Sequence, residues 1–133
     1  MELLVGVGLA LAISLLAHVV GFDRERAFYP VVMIVIASYY GLFAVMGGSV
    51  QALIPEAAAM TGFTLAAVFG FRKNLWLVVV ALAGHGVFDF FHAGLINNPG
   101  VPIWWPTFCG AYDIVAALFL AVLLKRGQPP AIA

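Results

Sequence analysis

Three residues that can bind a metal ion lie close together in an otherwise hydrophobic segment: His85, Asp89 and His92. On an α-helix, at about 100° per residue, Asp89 lies about 40° round from His85 and His92 about 20° the other way. One narrow stripe of the helix therefore carries all three side chains. Imidazole and carboxylate groups at i, i+3 and i, i+4 spacing can bind one ion from a single helix face.

The composition around this stripe is that of an integral membrane protein. Of the 133 residues, 65% are hydrophobic and 9% are charged, whereas soluble domains have about 25% charged residues. An ionisable group in hydrocarbon costs about 2.5–3.5 kcal/mol, so it persists mainly where it faces protein, water, an ion or a substrate. The formal net charge of zero argues against nucleic acid as a partner, because there is no basic face to displace phosphate counterions.

Five apolar runs are long enough to cross a ~30 Å hydrocarbon core as helices, at 3–20, 31–46, 51–71, 74–92 and 108–124. All six Lys and Arg residues occur in pairs after the first, third and fifth runs, on one side of the membrane. The positive-inside rule then places the N-terminus outside and the C-terminus in the cytoplasm. We expect an all-α bundle of five transmembrane helices that forms a single domain over residues 1–133, in a bacterial-type inner (plasma) membrane.

The depths of the acidic residues indicate where a site would form. At 1.5 Å per residue, Asp89, Asp113 and Glu56 each lie about one helical turn inside the outer end of their span. His85 and His92 lie slightly below and slightly above that level. We therefore predict that one metal ion is bound in the outer half of the bundle. Its predicted ligands are His85, Asp89, His92 and Glu56, with Asp113 as a further ligand or as a general base.

Other residues near this level have structural interpretations. If the third helix began one residue before Glu56, this acid would lie in the first turn, at the membrane surface, where the helix dipole favours it. Cys109 lies one turn before Asp113 on the same face and is interpreted as a small buried hydrophobic residue. Trp104 and Trp105 precede the fifth span and are interpreted as an interfacial anchor, with a lid over an outer pocket as the alternative.

These residues predict, first, a metal-binding protein or a metal-dependent enzyme. Neutral imidazole and carboxylate ligands suit one divalent transition metal ion, Fe, Zn or Mn. A lipophilic small molecule, such as a quinone, an isoprenoid or a lipid, would enter the site from the bilayer. In an enzyme of this kind, Asp113 would be the catalytic base.

Two other functions remain alternatives. Intramembrane Asp and His residues are typical of a proton-coupled transporter or relay, although no polar path to the cytoplasm follows below His85. The second alternative is a structural, assembly, pigment-binding or haem-binding subunit of a larger membrane complex. As partners we expect the lipid bilayer, with a homo-oligomer or a larger membrane complex as the protein assembly. A haem bound by two histidines is the weaker candidate, because His18 and His85 lie about 7 Å apart in depth.

Overall fold

The computed structural model describes residues 1–129 and contains five long α-helices in this range. Their bounds are α1 Glu2–Val20, α2 Phe28–Met46, α3 Val50–Arg72, α4 Trp76–Leu95 and α5 Trp105–Lys125, with a short 3-10 turn at Phe22–Arg24 after α1. All five are long and apolar enough to cross a membrane. The five predicted spans are thus confirmed as helices, and each predicted boundary lies within three residues of the observed one.

Local signals in the sequence explain where the helices begin and end. Gly21, with φ 96°, adopts the left-handed conformation that ends α1, which glycine does at little cost. The Ser49 hydroxyl accepts a hydrogen bond from the Ala52 N–H (3.1 Å) and so caps the start of α3. Pro106 lies in the first turn of α5, where its missing N–H is harmless. The short connections between these signals make neighbouring helices antiparallel.

The helices pack in a defined order. α5 packs along both α1 and α4, α2 packs along α3, and α4 also contacts α3 and, over a smaller area, α2. The connection between α1 and α2 meets the end of α3, where Arg26 Nη2 donates to the Phe71 carbonyl oxygen (3.0 Å). We call this end of the bundle, which carries the Lys and Arg pairs, the basic end. The connection between α4 and α5 lies at the opposite end.

Two glycines bring α4 and α5 unusually close. A Cβ atom added at Gly86 would lie 3.0 Å from the Gly110 carbonyl oxygen, and one added at Gly110 would lie 3.0 Å from the Gly86 carbonyl oxygen. The two backbones can approach this closely because neither residue has a side chain, as is common between membrane helices. This contact places Asp89, which follows Gly86, close to Cys109 and Asp113 on either side of Gly110 in the interior.

Candidate metal centre

The polar stripe of α4 faces the interior of the bundle. His85, Asp89 and His92 are exposed by only 1%, 0% and 2% respectively, as expected from their shared helix face. The apolar residues Val78 and Leu82 continue the same buried face towards the start of α4. The prediction that one face of this helix buries all three polar residues is confirmed. Their partners on the other helices, however, divide them into two groups.

The first group joins α4 to α5. His85 Nδ1–H donates to Asp113 Oδ2 (2.6 Å), and Asp89 Oδ2 lies 3.4 Å from the same nitrogen. Cys109 lies one turn before Asp113 and contributes its sulfur to the same place. One potential ligand atom from each of these four buried residues lies within 4.8 Å of all the others. We call His85, Asp89, Cys109 and Asp113 the lower cluster.

The lower cluster contains carboxylate oxygens that the protein does not satisfy. Both oxygens of Asp89 and Oδ1 of Asp113 are buried and have no hydrogen-bond partner among residues 1–129. The Tyr40 hydroxyl, which lies near Asp89, is likewise buried without a partner. Buried polar atoms are nearly always hydrogen-bonded in folded proteins, and a buried carboxylate without a partner is costly. These atoms therefore have free capacity for an ion, water or another polar ligand.

The charges of the lower cluster are also unbalanced. It holds two carboxylates and one imidazole, and all six Lys and Arg residues lie in the helix ends and connections at the basic end. Even a protonated imidazole would leave one carboxylate charge uncompensated in the interior. A divalent cation bound by the neutral imidazole and the two carboxylates would balance both carboxylate charges, which removes most of the cost of burying them. Cys109 would join these ligands as a thiolate, because a coordinating thiol is deprotonated.

The dimensions of the lower cluster are close to those of a tetrahedral metal site. Bonds of about 2.0–2.3 Å place the four ligand atoms of such a site roughly 3.3–3.8 Å apart. The four ligand atoms lie within 4.8 Å of one another. Side-chain rotations that move these atoms by about 1 Å would therefore place them around one ion. Metal binding would replace the hydrogen bond between His85 and Asp113, because both atoms of that bond would become ligands.

The second group joins α4 to α3 and to the α4–α5 connection. His92 Nε2–H donates to Glu56 Oε1 (2.6 Å), and Asn98 Nδ2 donates to the same oxygen (2.9 Å). Asn98 Nδ2 also donates to the Tyr40 carbonyl oxygen (3.1 Å), and the Tyr40 ring stacks on His92 with centroids 3.9 Å apart. We call Glu56, His92 and Asn98 the upper cluster. It ties three helices and a connection together.

The position of Glu56 corrects one of the two interpretations drawn from sequence. α3 begins at Val50, so Pro55 lies inside the helix rather than at its first position. Glu56 is 1% exposed and is bonded to His92. The interpretation that placed Glu56 in a first turn at the membrane surface is therefore wrong. Glu56 lies inside the bundle, but as a partner of His92 and Asn98.

The structure thus brings together part of the predicted site. His85, Asp89 and Asp113 lie in one group, whereas His92 and Glu56 lie outside the set of four atoms that are within 4.8 Å of one another. Cys109 belongs to that set and also packs in the hydrophobic core. The sequence contained a signal for it, since Cys109 lies four residues, about one helical turn, before Asp113. A lone cysteine in an apolar helix is nevertheless typical of packing.

No protein-family model, curated protein or solved structure matches this chain. The arrangement of its own side chains is therefore the basis for assigning a function. The residues that the structure describes contain a buried His/Asp/Cys group that could hold a metal ion, within a bundle of helices apolar enough to span a membrane.

Proposed function

We propose that this protein is a membrane-embedded binding protein for one divalent transition metal ion. The ligands would be His85, Asp89, Cys109 and Asp113. The observation that carries the proposal is the convergence of four buried ligand atoms within 4.8 Å of one another. Three carboxylate oxygens of the same residues, both of Asp89 and Oδ1 of Asp113, have no partner among residues 1–129. A sulfur ligand beside imidazole and carboxylate favours Zn or Fe over Mn, because Mn prefers oxygen ligands.

We extend the proposal to chemistry on a lipophilic molecule. A bound ion would act as a Lewis acid that polarises an oxygen of the substrate. In the metal-bound cluster, Oδ2 of Asp113 would bind the ion in place of its hydrogen bond to His85. Oδ1, which has no partner among residues 1–129, would remain available to accept a proton. Asp113 is accordingly the residue that we propose as the general base. The apolar surroundings of the cluster would exclude water from the reaction.

We also propose the orientation and location of the bundle. The hydrogen bond from Arg26 to the Phe71 carbonyl supports the placement of two of the three basic pairs at one end, and that end would face the cytoplasm of a bacterial-type cell. The two clusters would then lie in the outer half of the inner membrane. A homo-oligomer or a larger membrane complex would be compatible with the apolar outer surface.

Metal analysis of purified protein tests this function. Protein prepared in detergent without chelator should contain close to one equivalent of Zn or Fe by elemental analysis. His85→Ala and Asp113→Asn should lose it, whereas His92→Gln, which changes a histidine of the same helix outside the lower cluster, should retain it. Metal-free wild-type protein that is folded by circular dichroism would disprove the proposal, and a visible absorption spectrum of the same sample would reveal haem or another pigment.

A proton relay is the second candidate, and the arrangement of polar groups along α4 favours it. Glu56 and His92 are hydrogen-bonded (2.6 Å), and the His92 ring stacks on the Tyr40 ring (3.9 Å between centroids). The Tyr40 hydroxyl lies near Asp89. Asp89 Oδ2 in turn lies 3.4 Å from His85 Nδ1. Such chains of buried acids and histidines are typical of proton pathways. Reconstituted vesicles should then acidify under a pH gradient, and Glu56→Gln should abolish the flux. Equal flux through wild type and variant would exclude the relay.

A further inference from the structure

A long apolar groove runs along the bundle on the side of α2 that faces α1 and α5. It encloses about 710 Å³, within the range of about 300–1,000 Å³ that is usual for small-molecule sites. Ile13 of α1, Val32 and Ile36 of α2 and Phe108 of α5 form its walls. The groove exists because α2 packs along α3 and α4 rather than along the α1–α5 pair.

The dimensions of the groove suit a thin, linear occupant. Its wall on α2 extends from Phe28 to Tyr39, which at 1.5 Å per residue is a length of about 16 Å. A single extended hydrocarbon chain fits this length, the enclosed volume of about 710 Å³ and the apolar lining.

The two ends of the groove differ from its middle. Glu25 lies at the basic end, while Tyr39 and Trp105, whose ring centroids are 5.0 Å apart, line the opposite end. Trp105 Nε1 has no hydrogen-bond partner among residues 1–129. An apolar channel with aromatic residues that carry polar tips at one end is typical of sites for molecules with one polar end.

Cys109 connects the groove to the lower cluster. It lines the groove and also contributes one of the four potential ligand atoms of the lower cluster. An occupant of the groove would therefore place its upper end directly beside the proposed metal site. In a bilayer, the other side of the groove is open to hydrocarbon, because α2 and α5 leave it uncovered along their length.

We infer that this groove binds one linear hydrocarbon chain of a membrane lipid, acyl or isoprenoid, with the oxygen-bearing end of the lipid beside Tyr39, Trp105 and Cys109. The lipid enters sideways from the bilayer, and its polar end reaches the lower cluster past Cys109. Chain binding stands independently, whereas the role of this lipid as the substrate of the metal site rests on the proposed function above.

Photochemical labelling of the full-length protein in phosphatidylcholine nanodiscs tests the inference. A diazirine-bearing palmitate and a diazirine-bearing geranylgeraniol serve as separate probes, and mass spectrometry of peptides locates the labels. We expect labels concentrated on the groove faces of α2 and α5. The double variant Ile13→Phe/Val32→Phe should reduce groove labelling by roughly tenfold, because additional rings overpack an apolar site. Val87→Phe, at a lipid-exposed position of α4 outside the groove, should leave it unchanged.

The outcomes separate the inference from the proposed function. Preference for one probe identifies the chain as acyl or isoprenoid, and both results support the inference. Labels spread evenly over all lipid-facing surfaces, or unaffected by the double variant, would overturn it, as would a cross-linked dimer joined through the groove. Metal content is measured in the same samples: groove labelling without metal would remove only the metal proposal, and metal without groove labelling would remove only this inference.

Discussion

Two histidine–carboxylate pairs on one helix differ in how completely the protein satisfies them. His85 with Asp113 and His92 with Glu56 are both buried and both bonded at 2.6 Å. In the upper cluster, Oε1 of Glu56 also accepts from Asn98, and only Oε2 of this carboxylate has no partner within residues 1–129. In the lower cluster, three carboxylate oxygens have no partner within residues 1–129.

This difference indicates that the two pairs have different roles, although their residue types are the same. The upper cluster has a structural role: its hydrogen bonds hold the α4–α5 connection against α2 and α3. The lower cluster holds more carboxylate than its imidazole can balance, and breaking or lacking the partner of a buried charge costs several kcal/mol. It is therefore stable only with an additional cation, proton or water. A stable fold tolerates such a deficit mainly at functional sites.

The largest expected effect is stabilisation by metal. At a free metal concentration of 1,000 times Kd, binding to the folded state adds about 4 kcal/mol to the free energy of unfolding. Adding Zn²⁺ to chelator-treated protein should therefore raise its thermal unfolding temperature. Asp89→Asn should abolish this rise, while Glu56→Gln, the matched change in the upper cluster, should preserve it.

The same pair of variants makes the comparison sharper in the absence of metal. Asp89→Asn removes a charge that has no hydrogen-bond partner, so the chelated variant should unfold at the same or a higher temperature than the chelated wild type. Glu56→Gln replaces a charged acceptor of two hydrogen bonds and should unfold at a lower temperature. Differential scanning fluorimetry measures both. If Asp89→Asn is destabilised as strongly as Glu56→Gln without metal, the distinction between the two clusters is refuted.

The second prediction concerns the close approach of α4 and α5. These two helices carry all four residues of the lower cluster. Gly86→Val introduces a side chain 3.0 Å from the Gly110 carbonyl and from Ile114, and should cost about 3 kcal/mol of stability through overpacking. Metal should be lost with it, because Asp113 and Cys109 move away from His85. Gly94→Val on the same helix has nothing within 4 Å and is the control. Retention of metal by Gly86→Val would show that the cluster does not depend on this contact.

The arrangement of helices was largely predictable from the sequence. Hydropathy reports which segments can lie in hydrocarbon, so the five helices were located to within three residues at each end. The period of the helix then predicted that His85, Asp89 and His92 share a buried face, as they do. These predictions succeeded because each depends only on properties along a single helix.

The composition of the site was less predictable, because it depends on how helices rotate against one another. Depth along the membrane placed Glu56 level with Asp89 and Asp113, but depth does not determine that α3 presents Glu56 to His92. Asn98 was missed altogether, since it lies in the α4–α5 connection and reaches the interior only after the helices have packed. Cys109 was assigned to packing, and it also faces the lower cluster.

The third prediction tests whether the upper cluster holds the α4–α5 connection in place. Asn98→Ala removes the donors to Glu56 and to the Tyr40 carbonyl, and leaving these acceptors unsatisfied should cost about 2 kcal/mol. Asn97→Ala changes the exposed neighbouring asparagine and should be neutral in the same thermal unfolding assay. Metal content should be unchanged in both variants. Loss of metal in Asn98→Ala would show that the two clusters act as one unit.

The smallest expected effect concerns the sulfur of Cys109 and tests whether the lower cluster extends to it. Cys109→Ser keeps the size of the side chain but replaces a soft ligand with a hard one, so the affinity for Zn²⁺ should fall while that for Mn²⁺ changes little. We expect a decrease of about tenfold for Zn²⁺, which corresponds to about 1.4 kcal/mol. Competition titration with a fluorescent chelator measures both affinities.

A second measurement on this variant separates a ligand from a packing residue. If Cys109 only fills space, Cys109→Ser should bury an additional hydroxyl at a cost in stability that is equal with and without metal. If it is a ligand, the loss of stability should be larger with Zn²⁺ present than with chelator, because binding and folding are linked. Ala111→Ser places the same hydroxyl at another buried position of α5 and should show no such difference. Equal losses for both variants in both conditions would restrict the lower cluster to His85, Asp89 and Asp113.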